Sequence, residues 1–249
     1  MNECKRIEEK YFSGNTYLES TSKLKAKEHL KILSNIEQYG NENIGPDLIS
    51  KTNDKIYGIE HFEFDSTKNV RKGSKYRRQI GKIDSVVNEQ IKNKTEVHDM
   101  SVISLDQNIR TYIDNYNKIY SYHYSRISSY LDNLNKDFPD IEKEIWFFIE
   151  DVTPFGNHYL NEDGIPVLFH PMLSQELIEL FKQSPQVKGI VFATNSFGNE
   201  NKLFVYLNND SEIAKLEQIC KSKAVKNLIS QNVLCSTTMI KINKSRENE

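Results

Sequence analysis

The stretch GPDLISKTNDKIYGIEHFEF, residues 45–64, decides the fold. It holds two runs of β-forming residues, 47–49 and 56–64, and the polar residues 51–55 between them have the composition of a turn. Pro46 suits the first position of a strand, because proline cannot donate a ladder hydrogen bond from a strand's middle. The stretch therefore predicts a β-hairpin.

The turn fixes which residues of the hairpin face each other. If Asn53 and Asp54 are its central residues, counting outward along both strands pairs Asp47 with Glu60. Two like charges placed opposite each other destabilise a sheet, so something should compensate them. A divalent cation would do so, since Mg²⁺ prefers a few carboxylates plus water, and neighbouring Lys or Arg side chains would also do so. A slip of one residue would remove the pairing.

Periodic apolar residues predict the elements around the hairpin. A helix is expected from Ser22 to Gly40, with Glu28 and Glu37 on it, and a long tyrosine-rich helix over 106–135. The run EIWFFIED, 144–151, has the composition of a buried strand. The remaining predictions are a helix at 174–183, strands at 189–194 and 203–207, and a helix at 211–222.

This order of elements predicts a mixed α/β protein with a central sheet flanked by helices. The expected division is an N-terminal arm (1–22), an α/β core (23–65 with 141–244), a mainly helical insertion (66–140) and a disordered tail (245–249).

The motif GPDLI, a short turn and YGIEHFEFD, after a glutamate-bearing helix, resembles the core of the PD-(D/E)xK nuclease superfamily. The likeness covers residues 24–65 and, more loosely, 144–207. It implies a restriction-endonuclease-like fold in which Asp47 is the motif aspartate and Glu60 the second acidic ligand of Mg²⁺ or Mn²⁺. Glu28 or Glu37 would be the supporting helix glutamate.

Two acids, Glu150 and Asp151, end the predicted buried strand. Acids at strand ends often line clefts in α/β sheets, which makes Glu150 a further candidate ligand; the alternative is that both mark the strand's exit into solvent.

The chain departs from the family pattern at Phe62, where the family usually has a lysine that orients the attacking water. Lys72 and Lys75 are the candidates to replace it as catalytic residues. His61 is a weaker candidate, since alternation along the strand points it away from Glu60's face. Without a replacement, the chain would be a catalytically inactive relative.

A basic run follows the hairpin and is predicted to contact nucleic acid, with Tyr76 stacking on a base. Its members are Arg71, Lys72, Lys75, Tyr76, Arg77 and Arg78. The alternative is an ordinary solvated loop. The tyrosine stripe of 106–135 is expected to be a packing face, within the core or in a homodimer.

Composition narrows the function classes further. The net charge is −2, three cysteines include no CxxC, and six histidines include no HxxxH or HxH, so zinc and disulfide frameworks are unsupported. P-loop, dinucleotide-binding and GxSxG motifs are missing. No apolar stretch approaches the roughly 20 residues of a membrane span, and the N-terminus does not resemble a signal peptide, so a cytoplasmic protein without a membrane partner is expected.

The predicted function is a Mg²⁺- or Mn²⁺-dependent nuclease acting on DNA or RNA. The alternative is an inactive, nuclease-like protein that binds nucleic acid or another protein.

Overall fold

A computed structural model describes residues 3–12, 16–21, 23–39, 45–69, 73–74, 78, 81–82, 85, 89, 100–105, 108–153, 156–195, 201–223, 225–229 and 231–236. The chain divides into two compact units. The larger comprises Met1–Ser66 with Gln107–Ile229, and the smaller comprises Thr67–Asp106 with Ser230–Glu249.

The described elements, in chain order, are α1 (Glu3–Ile7), a π-helical turn (Glu8–Phe12), β1 (Tyr17–Ser20), α2 (Lys23–Leu33), β2 (Ile36–Gln38), β3 (Leu48–Lys51), β4 (Lys55–Phe64), β5 (Lys68–Asn69), β6 (Gly73–Ser74), β7 (Met100–Leu105), α3 (Ile109–Tyr124), α4 (Ile127–Asp137), β8 (Glu142–Asp151), β9 (His158–Leu160), β10 (Pro166–Leu168), a 3₁₀ turn (Pro171–Leu173), α5 (Gln175–Lys182), β11 (Val187–Asn195), β12 (Asn201–Leu207), α6 (Asp210–Lys223) and β13 (Gln231–Ser236).

The larger unit is built on a seven-stranded mixed sheet in the order β1-β12-β11-β8-β4-β3-β2. Its centre is parallel, because β4 pairs with β8 and β8 with β11 in the same direction, while β3 and β12 run antiparallel to their central neighbours. The predicted mixed α/β class is confirmed. In the smaller unit, β5 pairs with β6 and β7 with β13, both antiparallel.

The hairpin has the predicted register. Leu48 pairs with Ile59, Lys51 pairs with Ile56, and the Thr52 amide donates to the Lys55 carbonyl across the turn. β3 begins one residue after Asp47, and extending its register places that residue opposite Glu60.

The central strands are buried on both faces, which explains the uninterrupted apolar run of β8. Its Phe147 and Ile149 pack on one face with α3, α4, α5 and α6, whereas Trp146 and Phe148 pack on the other with α1, the π-helical turn and α2. Gly58 allows α4 to lie close to the sheet, because a Cβ there would be 2.9 Å from the Leu134 and Ile145 side chains.

Two predicted helices differ from those observed. α2 ends at Leu33, since the Ser34 hydroxyl and the Asn35 amide both donate to the Lys31 carbonyl and compete with the helical pattern. The chain then enters β2, so Glu37 lies on a strand. The helix expected over 106–135 is two helices, and the Ser125 hydroxyl donates to the Tyr122 carbonyl at the break.

The units also differ from the expected division. The segment expected to be an arm supplies β1, which pairs with β12, and buries Ile7 and Tyr11 in the core. The helices α3 and α4 belong to the larger unit, because their aromatic face packs on the sheet. The predicted tail lies outside the described residues. No helix in the described part of the chain combines the length and apolarity needed to cross a bilayer.

Candidate functional site

Glu60 occupies the centre of the predicted site and is 1% exposed. Its Oε1 accepts a hydrogen bond from the Tyr130 hydroxyl at 2.7 Å and lies 2.6 Å from Nδ1 of His123. A guanidinium nitrogen of Arg126 lies 3.8 Å from the same oxygen. Because an ionised carboxylate only accepts hydrogen bonds, this contact favours a proton on Nδ1 of His123. Strand β4 is thus joined to α3 and α4 through one carboxylate.

Asp47 binds the backbone of the facing strand. Its Oδ2 accepts the amide hydrogen of His61 at 2.9 Å, one residue beyond the position opposite it. The charge of Asp47 also affects the pKa of Tyr130. Burial raises that pKa most, and the hydrogen bond and charge of Glu60 raise it further. The charge of Arg126 lowers the same pKa, and the charge of Asp47 raises it. The structure thus brings Asp47 and Glu60 into one neighbourhood, where hydrogen bonds and Arg126 moderate their repulsion.

Phe62, at the position where the resemblance leads us to expect a lysine, is part of the core. It is buried, and its ring stacks on that of His123 with centroids 4.1 Å apart and planes 6° from parallel. The histidine that binds Glu60 is therefore fixed on one side by the carboxylate and on its face by Phe62.

Glu150 lies on the other face of the sheet. Its carboxylate is 2% exposed and binds Arg6 at 2.9 and 3.2 Å, Lys10 at 2.5 Å, the Tyr11 hydroxyl at 2.7 Å and Nε2 of His61 at 3.3 Å. Burial alone raises the pKa of Glu150, but the hydrogen bonds from His61, Arg6, Lys10 and Tyr11 outweigh it and hold this pKa well below the ordinary value. The expectation that His61 points away from Glu60 is met.

The predicted ligands do not converge on one point. Glu60 faces α3 and α4, Glu150 faces the N-terminal segment, and Glu37 is exposed in β2 with Lys51 at 3.1 Å. Within the described ranges, no group of three or more His, Cys, Asp or Glu residues could hold a metal ion. Asp47 and Glu60 share one neighbourhood, but Glu37 and Glu150 do not join them to form the predicted set of four carboxylate ligands.

The remaining predicted residues add little to the site. Glu28 is exposed on α2. Arg78 is exposed as well. The other members of the basic run, Arg71, Lys72, Lys75, Tyr76 and Arg77, lie outside the described residues.

A second buried polar cluster lies at the carboxyl ends of the parallel strands, around Asp151. In register, Asp151 lies between Phe64 of β4 and Thr194 of β11. Its carboxylate accepts the Thr153 amide at 2.9 Å, and the Asn157 amide and the Thr194 hydroxyl each at 3.4 Å. Sequence reasoning singled out Glu150 and passed over its neighbour, although alternation already placed the two on opposite faces.

The surroundings of Asp151 favour its neutral form. Burial raises its pKa from 3.8 to about 7, against the opposing hydrogen bonds of Thr153 and Asn157, and the charge of Asp65 raises it further. Glu150 and Asp151 are consecutive in the chain, yet their pKa values move in opposite directions, because among the described residues cations bind Glu150 and not Asp151.

No known protein family, curated protein or solved structure matches this chain.

Proposed function

We propose that this chain is a binding protein on a nuclease-like scaffold, without metal-dependent cleavage at the Asp47/Glu60 position, and that nucleic acid is its partner. One observation carries the proposal: Glu60 is buried against His123 and Tyr130, and Phe62, at the position of the family lysine, stacks on His123. The site that would hold a metal and an attacking water is filled by the junction between β4 and the helices.

The scaffold half of the proposal rests on the order of elements. The resemblance is based on a glutamate-bearing helix and two strands, followed after an insertion by a strand, a helix and two strands. The elements α2, β3, β4, β8, α5, β11 and β12 follow one another in that order, with β2 as an additional strand and with β8 parallel to β4. Asp47 directly precedes β3 and Glu60 lies within β4, which supports the proposed likeness.

Nucleic acid is proposed as the partner because of the basic run between 71 and 78. Cationic side chains next to a tyrosine provide phosphate contacts and a stacking surface. Because the whole chain carries a net charge of −2, binding to a polyanion depends on a local cluster of positive charge, and this run is such a cluster.

A second candidate, the Mg²⁺- or Mn²⁺-dependent nuclease, is favoured by one specific observation. The second carboxylate oxygen of Glu60 is buried and has no hydrogen-bond partner among the described residues. A buried oxygen of this kind calls for a cation or a water molecule. When bound there, a metal would supply a hydroxide at neutral pH and polarise a phosphate.

Two assays separate the candidates. Plasmid and single-stranded DNA are incubated with Mn²⁺ and either wild type or Asp47→Ala; the binding protein gives no cleavage with either, whereas cleavage by wild type that disappears in Asp47→Ala supports the nuclease. Binding is measured by fluorescence anisotropy of a labelled oligonucleotide at two salt concentrations.

The binding assay has a matched control. The double variant Lys72→Ala/Lys75→Ala should weaken binding and reduce the salt dependence by about 0.7–0.9 in logarithmic slope for each phosphate that it no longer neutralises. Lys221→Ala/Lys223→Ala removes the same charge from exposed positions on α6 and should leave binding unchanged. Equal effects of the two double variants would contradict an interface at the basic run.

A further inference from the structure

Three tyrosines on α3 bury their hydroxyls in an unusual way. Tyr112, Tyr116 and Tyr120 lie at intervals of one helical turn and are at most 1% exposed. In the part of the chain that the structure describes, none of their three hydroxyls makes a well-aligned hydrogen bond, although the Ser184 hydroxyl lies near that of Tyr120. A buried polar group left without a partner is costly, and native proteins leave few of them, so three in a row require an explanation.

The spacing of the rings suggests what the hydroxyls bind. The Tyr112 and Tyr116 rings are 6.4 Å apart and 6° from parallel, and those of Tyr116 and Tyr120 are 5.9 Å apart and 21° from parallel. Near-parallel rings on successive turns carry their hydroxyls at a similar spacing. That spacing is too long for a direct bond of about 2.7–2.8 Å between hydroxyls, but close to two such bonds in series. One water molecule between each pair would supply both.

The Tyr112 end of the row of hydroxyls lies beside the strand ends that carry Asp151, because the Tyr112 ring packs on that of Phe64 with centroids 4.9 Å apart and Phe64 is the register partner of Asp151. The charges of neighbouring groups agree with this placement. Burial raises the pKa of Tyr112, and the charges of Asp151, Tyr116 and Tyr206 raise it further. Burial also raises the pKa of Tyr116, and the charge of Tyr120 raises it further. The row thus begins beside Asp151.

The outer end of the row lies near Ser184 and Tyr124. Burial raises the pKa of Tyr120, the nearby Ser184 hydroxyl lowers it, and the charge of Tyr124 raises it. Tyr124 continues the ring stack at 6.3 Å and is partly exposed. The row therefore extends from a buried carboxyl toward the surface.

We propose that the hydroxyls of Tyr112, Tyr116 and Tyr120 form a binding site for a single file of internal water molecules, extending from the Tyr124 end of α3 toward Asp151. A phenol hydroxyl donates one hydrogen bond and accepts others, so each of the three can hold a water on either side. Internal waters of this kind typically make about three hydrogen bonds to groups that otherwise lack partners.

The test is a substitution that removes one oxygen and keeps the ring. Tyr116→Phe, at the centre of the row, should unfold at a lower urea concentration than wild type, because the waters on both sides lose a partner. Tyr124→Phe, in the same stack but partly exposed, should leave the midpoint unchanged. If the hydroxyls are dry, Tyr116→Phe removes an unpaired buried group, and its midpoint would be unchanged or higher; either result overturns the proposal.

A second measurement reads the water directly. Magnetic relaxation dispersion of water nuclei detects internal molecules with long residence times in the folded protein. Its amplitude should be smaller for Tyr116→Phe than for wild type and for Tyr124→Phe. Equal amplitudes in all three proteins would overturn the proposal even if the urea midpoint falls.

Discussion

Replacing Asp151 by asparagine should change how stability depends on pH. Asparagine has the shape of the protonated acid and can present a donor toward the Thr194 hydroxyl, as the protonated acid can. It stays neutral at every pH. The wild-type carboxyl has a pKa of about 7 when folded, against an ordinary 3.8, because burial and the charge of Asp65 outweigh the hydrogen bonds of Thr153 and Asn157.

The sign and size of the pH effect follow from the difference between the folded and unfolded pKa of Asp151. A group whose pKa is raised by folding contributes stability that is fully present below pH 3.8 and is lost as the pH rises toward 7. A difference of about three pH units corresponds to about 4 kcal/mol. Relative to wild type, the free energy of unfolding of Asp151→Asn should therefore rise by about 4 kcal/mol from pH 4 to pH 8.

Urea unfolding at several pH values from 4 to 8 measures this for both proteins. The comparison uses only the change in their difference with pH, so any constant cost of the amide cancels. If the difference between the two proteins is the same at every pH, Asp151 ionises in the folded protein as it does in the unfolded chain, and the inferred effect of its surroundings is refuted.

Three further substitutions test the packing and charges of the larger unit. Glu150→Gln should cost about 1–3 kcal/mol at pH 7, because the half-buried Arg6 and Lys10 lose the carboxylate that they bind. Since folding lowers the pKa of Glu150, the wild-type advantage in urea midpoint should shrink as the pH falls below 4.5, and an advantage that grows there would contradict the prediction. Phe62→Lys should lower the thermal midpoint by the equivalent of about 3 kcal/mol or more, because it buries an ammonium group against His123. Phe62→Leu, which adds no charge, should cost less. Equal losses would mean that the cost comes from lost packing and not from the buried charge. Gly189→Ala would place a Cβ 2.4 Å from the Trp146 ring and should cost about 1–3 kcal/mol by urea unfolding, with an unchanged midpoint as the contrary result.

The hairpin and the buried strand could be predicted because their signals are local. The turn residues set the register of β3 and β4, and the apolar run of β8 is long enough to be buried on both faces. The mixed α/β class followed from these two elements together with the helices predicted around them.

The N-terminal segment could not be predicted because its structure depends on distant partners. Its sequence, MNECKRIEEKYF, is mostly polar. It is held by the packing of Ile7 and Tyr11 in the core and by contacts of Arg6, Lys10 and Tyr11 with Glu150, some 140 residues away. The end of α2 was missed for a related reason: Ile36 continues the helical spacing, but it packs from a strand into the same core as Leu33.

The positions of some candidate residues could be predicted, but not their partners. Alternation separated Glu60 from His61 correctly, since facing is a property of one strand. It gave no information on which helix would cover each face, because that depends on the connections between strands. His123 and Tyr130, which bind Glu60, could not be distinguished from other members of the 106–135 stripe.

The most direct test of the proposed function is the thermal midpoint of wild type and Asp47→Ala with and without Mn²⁺. A ligand that binds only the folded state raises the free energy of unfolding by an amount set by the ratio of ligand concentration to Kd, about 2.7 kcal/mol at a hundredfold excess over Kd. With Glu60 held by His123 and Tyr130, Mn²⁺ should leave both midpoints unchanged. A rise in wild type that disappears in Asp47→Ala would contradict this and place a metal between the two acids.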